Sequence, residues 1–478
     1  MRMTNKIMQN NSLYNINQTK IAEDKYTTQM TSQSKIDRPS DDPVVAIRAL
    51  RLRTNVTEVT QYYEKNAPDA NQWLDVTAGA LTTVTDIITN LYKQAEKGFN
   101  KELKSDDLQV ILDQMKAYTK EFYATGNQDY AGRYIFTGYR TDMELTFSKP
   151  ANKEYTIYQK VSLDDFDILN TTDHTGLDTT TGMDTVKEQD ITNEDKHRLR
   201  LPYKDIKTDG FAITIYDPAN PSDPGTVVDA SKYTVSEDGQ VIFTDAAYTE
   251  LETALQSGKT LEVTFKKDAW ETGDLHPEHF YKCVEKTPTG DITYNADYDV
   301  DKVINYDVGY NQKIQVNTNA NEVFIHDLYR DMDDLSKVVD ELEKLESLKE
   351  ELARKLDAES ETSADYSKIK DQLDATKKAY DYVRENVKNL FGGQMTKYQN
   401  YLDKTNLAIT KNGTRSSRLE LISSRLMDQQ ATYKELQEEN EGVDMTETAV
   451  KLASAKLTYD AALQATGKIL QNSLMNYI

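Results

Sequence analysis

Two stretches of the sequence hold residue types able to do chemistry. His276-Pro277-Glu278-His279 sets two imidazoles three positions apart, which could offer a divalent metal two nitrogen ligands. The proline between them does not favour a fixed ligand geometry, and no third ligand stands nearby. A solvated loop is the expectation there. Asp297, Asp299 and Asp301 alternate like the opening of a calcium loop, but its sixth position is Lys302 instead of glycine and its twelfth is Val308. Cys283 is the only cysteine, so neither an intramolecular disulfide nor a cysteine-type zinc site can form. There is no glycine-rich phosphate loop, nucleophile elbow or Cys–His pair, and the five histidines fall in no motif. The expectation is a protein with no catalytic residue, no metal and no cofactor, and not an enzyme.

What remains is packing chemistry, and the composition says which kinds. The chain has 478 residues, room for roughly two to four domains. A net charge of −23 argues against a nucleic-acid partner, because phosphate contacts need clustered Lys and Arg. Mean hydropathy is −0.72 and no run of apolar residues is long enough to span a bilayer, so membrane insertion is not expected. The first twenty residues lack the apolar segment of a cleaved secretory signal. An apolar fraction of 38% is low for one large core and suits long helices sharing narrow seams. Charge is uneven: 327–385 carries 18 acids against 11 bases, whereas the two ends are electrostatically mild. Mild, apolar-striped ends on an acidic body suit an assembly in which the ends pack and the middle faces water.

The elements follow from period and punctuation. Residues 3–32 contain no Pro or Gly and read as a helix with Ile7, Tyr14 and Ile21 at seven-residue spacing; Asn10 and Asn17 beside them predict a helix that is weak alone. Pro39 and Pro43 break it. Asp42 before Pro43 is a helix-start signal, and a long helix is expected over 43–97, ended by Gly98. Ser105 is expected to cap a helix over 106–125. The period then changes to two. Runs at 211–216, 232–235, 240–243 and 260–265 read as strands, with a hairpin turn at Asp238-Gly239 and one short helix near 246–257. The span 170–198 reads as a polar, mobile surface loop. Helix returns near 323. Leucines at 335, 342, 345, 352 and 356, then Ile369, Leu373, Tyr380, Val383, Val387 and Leu390, predict an antiparallel coiled-coil hairpin over 327–391, broken or kinked by Gly392-Gly393. After Gly442, Asp444 and Glu447 suggest a capping box for a last helix in which Leu463, Leu470 and Tyr477 repeat every seven residues. The fold class is α+β and multidomain: a long helical and coiled-coil core formed by both termini, with an inserted β-rich middle. The expected divisions are 1–42, 43–149, 150–322, 323–442 and 443–478.

With these elements in place, several strings resemble the bacterial flagellin family. They are the N-terminal MRMTNKIMQNN…IDRPSDDPVVAIRAL, GRYIFTGYRT at 132–141, TGDITYN at 289–295, IQVNTNANEVF at 314–324, RLELISSRL at 418–426 and the C-terminal AKLTYDAALQATGKILQNSLMNYI. RPSDDP and GRYIFTGYRT are similar to the hook-associated branch more than to the filament subunits. The resemblance implies a structural subunit of the flagellum that forms a ring joining hook to filament, between hook-associated protein 1 and flagellin. It implies terminal helices that fold on assembly, with Ile7, Tyr14, Ile21, Leu463, Leu470 and Tyr477 in the interface and Arg38, Pro39, Ser40, Asp41, Asp42 and Pro43 as an inter-subunit joint. It also implies export by the flagellar type III apparatus with a chaperone, without signal cleavage, to an extracellular flagellum. The chain is longer than is usual for that branch, with the excess near 150–200 and 345–395. A filament subunit is the alternative within the family. A secreted coiled-coil adhesin, or a hydrolase carried in the middle segment, is the alternative outside it.

Overall fold

The computed structural model describes residues 5–100, 103–177, 186–219, 224–296, 302–361 and 363–475. The helices are α1 (Asn5–Ser32), α2 (Pro43–Gln61), α3 (Ala67–Gly98), α4 (Ser105–Thr125), α5 (Asp245–Gln256), α6 (Pro277–Phe280), α7 (Asp327–Ala358), α8 (Ala364–Glu441) and α9 (Met445–Met475). The strands are β1 (Asp129–Tyr130), β2 (Arg133–Tyr134), β3 (Ala151–Val161), β4 (Phe166–Asp173), β5 (Thr192–Arg200), β6 (Lys207–Tyr216), β7 (Thr226–Val227), β8 (Tyr233–Val235), β9 (Gln240–Phe243), β10 (Thr260–Trp270), β11 (Lys282–Thr287), β12 (Gly290–Tyr294), β13 (Asn305–Gly309) and β14 (Gln312–Gln315). The expected α+β organisation is present, with long helices at both ends and strands in the middle. No described helix is long and apolar enough to cross a membrane.

The chain divides into two compact units. One takes the residues up to Ala70, Tyr306–Ile314 and those from Ser417 onward; the other takes Asn71–Asn305 and Gln315–Ser416. In the first unit α2 starts as the sequence requires: the Asp42 carboxylate accepts from the N–H groups of Val44 (3.0 Å) and Val45 (3.1 Å), and Pro43 opens the helix. The single helix expected over 43–97 is interrupted, because Tyr62–Asn66 forms a π-helical turn. Pro68 explains the interruption: it has no N–H to give to the Glu64 carbonyl, and its ring crowds that oxygen. The turn lets the Asn66 amide donate to the Asp307 carbonyl (2.7 Å), and the Tyr306 hydroxyl reaches Asp69 (2.5 Å), which seats the β13–β14 hairpin.

In the second unit, β12-β11-β3-β10-β6-β7 form a six-stranded sheet and β4-β5-β9-β8 a four-stranded one. Strand β10 alternates from Leu261 to Lys267, burying Leu261, Val263 and Phe265, and a register shift between Lys267 and Ala269 lets Trp270 be buried as well. Lys267 occupies a buried position of the same face, where its ammonium donates to the Lys204 carbonyl (2.6 Å). The expected turn at Asp238-Gly239 joins β8 to β9, with Gly239 at φ +72°, and the short helix near 246–257 is α5. The loop expected over 170–198 is overturned on both sides, since β4 runs to Asp173 and β5 starts at Thr192 and the two pair in register from Phe166↔Leu199 to Asp173↔Thr192. The first four residues of β5, Thr192 to Asp195, are exposed, so they show no alternation to read. Ser105 is the first residue of α4 and is not its cap; its N–H donates to Glu346 (3.2 Å).

Helices α7 and α8 form the expected antiparallel hairpin, with Leu352, Ile369 and Leu373 buried near its turn. Lys349, which interrupts the leucine seam, sets its ammonium 3.5 Å from the centre of the Tyr380 ring. Gly392-Gly393 does not break α8, which continues through both. The glycines at this level permit close contact. A Cβ on Gly98 would meet the ring of buried Phe391 at 2.5 Å, and one on Gly392 would meet the Phe99 ring at 3.1 Å, whereas one on Gly393 would meet nothing within 4 Å. Each segment thus lends a glycine to the other's phenylalanine.

An ion cluster fastens the four-stranded sheet to the hairpin. Asp331 on α7 is fully buried; it accepts from Arg200 of β5 (2.6 Å) and Lys397 of α8 (2.8 Å). Asp334 accepts from Arg200 (3.0 Å) and lies 2.9 Å from Arg198. Burial alone would raise the Asp331 pKa, but the adjacent Arg200 and Lys397 charges outweigh it and hold the carboxyl down at about 2.

This packing makes the two glycines and the buried acid testable. Gly98→Ala should lower the unfolding free energy by about 1–3 kcal/mol through overpacking, while Gly393→Ala should raise it by up to about 1 kcal/mol through helix propensity; shifts of the thermal midpoint followed by circular dichroism read both. Because Asp331 titrates near 2 in the fold against 3.8 ordinarily, its stabilisation is complete above about pH 4 and is lost as pH falls through about 2. Asp331→Asn should cost about 3–5 kcal/mol at neutral pH and flatten that acid slope. Urea titrations followed by the fluorescence of Trp73 and Trp270, both in this unit, measure it.

Candidate assembly interface

Helices α1 and α9 pack along each other within the first unit. The C-terminal end of α1 lies beside the N-terminal end of α9, because Ser34 bridges antiparallel to Gly442 and the Val443 N–H donates to the Gln33 carbonyl (3.2 Å). The pair is therefore antiparallel.

Among the half-buried positions of α1, Gln9, Ser12, Ile16, Thr19, Glu23, Tyr26 and Met30 form a seam of alternating three- and four-residue steps. Its counterpart on α9 is Thr448, Leu452, Ala455, Tyr459, Ala462 and Thr466. Small and polar side chains make up most of both rows, and Thr448 is the one fully buried side chain among the described residues of the two helices. Ile16, Tyr26, Met30, Leu452 and Tyr459 are the large members of the seam, and further bulky residues lie outside it. Ile7 (49% exposed), Tyr14 (63%) and Ile21 (61%) sit half a turn away from the seam of α1 at 100° per residue. Val450 and Leu457 sit opposite the seam of α9, and Leu463 flanks it at 43% exposure. The side chain of Leu470 and the whole of Tyr477 lie outside the described residues.

The link between α1 and α2 is a folded joint. The Asp41 carboxylate accepts from the N–H groups of Asp37 (3.1 Å) and Arg38 (2.9 Å), and these backbone bonds hold its pKa below the usual carboxylate value. Asp42 caps α2, and the Arg38 side chain points to solvent near Asp37. The sequence reading missed the other half of this joint. The Lys35 N–H donates to the Glu441 carbonyl (2.7 Å), and its ammonium donates to the Glu439 carbonyl (2.8 Å). The Glu441 carboxylate, largely buried, takes both Nε and Nη2 of Arg53, which raises the pKa of that arginine. A Cβ on Gly442 would fall 2.4 Å from the Glu438 carbonyl oxygen, so glycine is required where α8 stops. The sequence signalled only that stop; a contact spanning 388 residues leaves no local pattern.

The chemistry candidates resolve differently. His276 and His279 do not lie in a solvated loop: α6 carries the second and both are buried. His276 stacks on Phe147 with ring centres 3.6 Å apart, and the His279 Nε2 bonds the Glu144 carbonyl (3.0 Å). Burial pushes their pKa values down to about 3 and about 4, so both are neutral packing groups. Glu278 between them is buried as well, accepting from the Tyr155 hydroxyl (2.7 Å) and Arg140 (3.2 Å). Asp297, Asp299 and Asp301 lie outside the described residues. Among the described residues no cluster of three or more His, Cys, Asp or Glu is placed to hold a metal. Cys283 is buried and unpaired, and burial raises its thiol pKa.

Comparison with known proteins bears on the α1–α4 region. Residues 3–141 match the bacterial flagellin N-terminal helical region. Flagellar hook-associated protein 3 of Escherichia coli (strain K12) is 27% identical over 143 residues, and that of Salmonella typhimurium is 26% identical over the same length. Each alignment covers 30% of this chain and 45% of the relative, so the chain spans just under half the length of either. The crystal structure of Xanthomonas campestris FlgL aligns over 81% of this chain and 98% of its own, at 10% identity and a TM-score of 0.31. Over residues 3–141 the chain is similar to the bacterial flagellin N-terminal helical region, and over 143 residues it is similar to flagellar hook-associated protein 3.

Proposed function

We propose that this protein is a structural, non-enzymatic subunit of the bacterial flagellum that forms the junction ring between hook and filament. The observation that carries this reading is the outward row Ile7, Tyr14 and Ile21, exposed on a flagellin-type N-terminal helix whose own intrachain seam mixes Ile16, Tyr26 and Met30 with Gln9, Ser12, Thr19 and Glu23. A helix of that kind gains only part of its burial from its single partner and needs neighbours to cover its apolar side. The neighbours are copies of this chain within the ring, hook-associated protein 1 on one side and flagellin on the other. Residues 1–42 and 443–478 act as assembly ends, with Ile7, Tyr14, Ile21, Leu463, Leu470 and Tyr477 in contact. Residues 43–149 and 323–442 form the helical core, and 150–322 the β-rich middle. The stretch Arg38–Pro43 acts as the joint between inner and outer layers. Export runs through the flagellar type III apparatus with a chaperone, without signal cleavage.

A filament subunit is the second reading, favoured by the same outward row but opposed by RPSDDP and GRYIFTGYRT. Immunogold electron microscopy with antibody to 327–391 separates the two. A narrow band at the hook–filament boundary is expected; label along the filament would make the protein a flagellin, and label absent from flagella would remove both readings. Tyr14→Asp and Leu463→Asp alter exposed side chains, so far-UV circular dichroism and the thermal midpoint of the purified chain should stay close to wild type, within about 0.5 kcal/mol. Flagella of the mutant strain should nevertheless lack filaments, with flagellin shed into the medium. Normal swimming by both variants would contradict the assigned interface.

A further inference from the structure

Three of the five histidines, His276, His279 and His326, are buried around α6 in the second unit. His276 and His279 flank Pro277 and Glu278 with ring centres 5.9 Å apart, and His326 meets Phe280 edge-on at 4.5 Å. We propose that they form an acid-sensitive latch, which holds α6 to its neighbours while the imidazoles are neutral and releases it when they gain a second ring proton. The latch acts within the second unit, whatever the terminal helices assemble with.

The hydrogen bonds fit neutral rings and leave no place for the cation. His279 Nε2 faces the Glu144 carbonyl, which can only accept, so Nε2 carries the proton. The nitrogen left to gain one is Nδ1, which is buried and has no hydrogen-bond partner. His276 Nδ1 is buried without a partner in the same way, in a ring stacked on Phe147. His326 is fully used as a neutral ring. The Tyr203 hydroxyl gives its proton to the Leu275 carbonyl (2.9 Å), so its oxygen accepts from His326 Nε2 (3.0 Å). Nδ1 then accepts from the Tyr281 hydroxyl (3.2 Å). A second proton on that ring turns Nδ1 into a donor and forces the Tyr281 hydroxyl to turn away. A buried donor without an acceptor and a buried charge without a counter-ion are both costly.

The surroundings do not offset that cost. Arg140, Lys153 of β3 and Lys302 face His276 and His279, against the carboxylates of Asp142 and Glu278. Glu278 is already taken by Tyr155 and Arg140. Beside His326 the cleft carries both signs: Lys120 and Lys204 with Glu271 and Asp274, and Arg330 with Asp333. The only histidine ion pair among the described residues is that of His174 with Glu341 (3.2 Å). Burial pushes the His326 pKa down to about 3, alongside those of His276 and His279. Histidine in an unfolded chain protonates near 6.5. The unfolded state therefore takes up more protons than the fold as pH drops below about 6.5, and stability is full above that value and declines beneath it. The joints that loosen are local. The His276 N–H donates to the Leu145 carbonyl (3.0 Å) and the Phe147 N–H to the Asp274 carbonyl (2.8 Å), while His326 ties the start of α7 to Tyr203.

The test is urea unfolding of the full chain from about pH 7.5 to 4.5, together with histidine NMR of the folded protein. Fluorescence reports the second unit, because Trp73 and Trp270 are the two tryptophans and both belong to it. In the folded chain the three rings should show no titration down to about pH 5. The unfolding equilibrium constant should rise about a hundredfold or more per pH unit between about 5.5 and 4.5, since each buried imidazole adds about tenfold. His279→Gln keeps an N–H for the Glu144 carbonyl and cannot gain a charge, so it should remove about tenfold per pH unit from that slope. Should His279→Gln fail to fold, as judged by circular dichroism, the NMR titration of the unaltered chain decides. Titration of the three rings near 6.5 in the folded protein would overturn the proposal. So would a rise of about tenfold or less per pH unit, or a slope unchanged in a folded His279→Gln.

Discussion

A carboxylate with no access to solvent holds the larger unit together. Asp331 sits in the first turns of α7, and the groups that neutralise it arrive from β5 and α8. Taking a charge out of water costs several kcal/mol, and the cost is recovered only when its partners are present at the right distance. The sheet therefore cannot dock without the hairpin, nor the hairpin close without Lys397. The same logic spreads outward along α7. Arg330, itself 3% exposed, donates to the Asp238 carbonyl, and Lys337 pairs with the Asp238 carboxylate. One helix thus fixes both the strand that carries Arg198 and Arg200 and the turn that closes the β8–β9 hairpin. Such a lock is specific more than strong, because apolar residues of equal volume could pack as well without dictating one sheet position.

Glu278 plays a comparable part around α6. Its carboxylate is shared between the Tyr155 hydroxyl of β3 and Arg140, which comes from the GRYIFTGYRT string. Its own backbone carbonyl accepts from Asn295 (2.7 Å) and Lys302 (3.2 Å). A motif noticed for its resemblance to a family therefore has a local physical role, delivering a cation to a buried acid where helix and strand meet. Gly138 in that string has φ +63°, and a Cβ there would meet the Lys302 side chain at 2.9 Å, so the close turn is part of the same arrangement.

Legibility in the sequence followed the range of the cause. Local causes were visible: the Asp42-Pro43 start of α2, the Asp238-Gly239 turn, the leucine seam of α7 and the alternation of β10 from Leu261 to Phe265 can each be read within a dozen residues. Causes that act across the chain were not. Gly392-Gly393 has the local look of a helix break, and only Phe99, just past the end of α3, reveals why one of the pair is needed inside α8. The His276–His279 stretch has the composition of a loop, but Phe147 and Glu144 turn it into core. Over Asn170–Asp173 and Thr192–His197, strands β4 and β5 pair through their backbones while their side chains stay polar, so no periodicity marked those stretches. In the candidate interface the heptad of Ile7, Tyr14 and Ile21 was legible as a stripe. The seam used within the chain was not, because Gln9, Ser12, Thr19, Ala455 and Ala462 interrupt the hydrophobic signal of Ile16, Tyr26, Met30, Leu452 and Tyr459.

That inversion between stripe and seam has an energetic consequence. Two helices of 28 and 31 residues need substantial burial to offset the entropy of ordering their backbones, roughly 1–2 kcal/mol per residue. A seam in which Ile16, Tyr26, Met30, Leu452 and Tyr459 are interspersed with small and polar residues, and stay only half-buried, removes part of the apolar surface from water, and further apolar area lies on the side facing away from it. Order in α1 and α9 is then tied to whatever covers Ile7, Tyr14, Ile21, Val450 and Leu457. A neighbour that binds only the folded pair stabilises it in proportion to the logarithm of the neighbour's concentration. The bidentate Arg53–Glu441 pair and the Lys35 bonds hold the two joints together independently of that cover, so the entropy of bringing the chain ends near each other is already met before assembly. Folding of the ends can in this way be conditional on assembly while their direction of approach is set in advance.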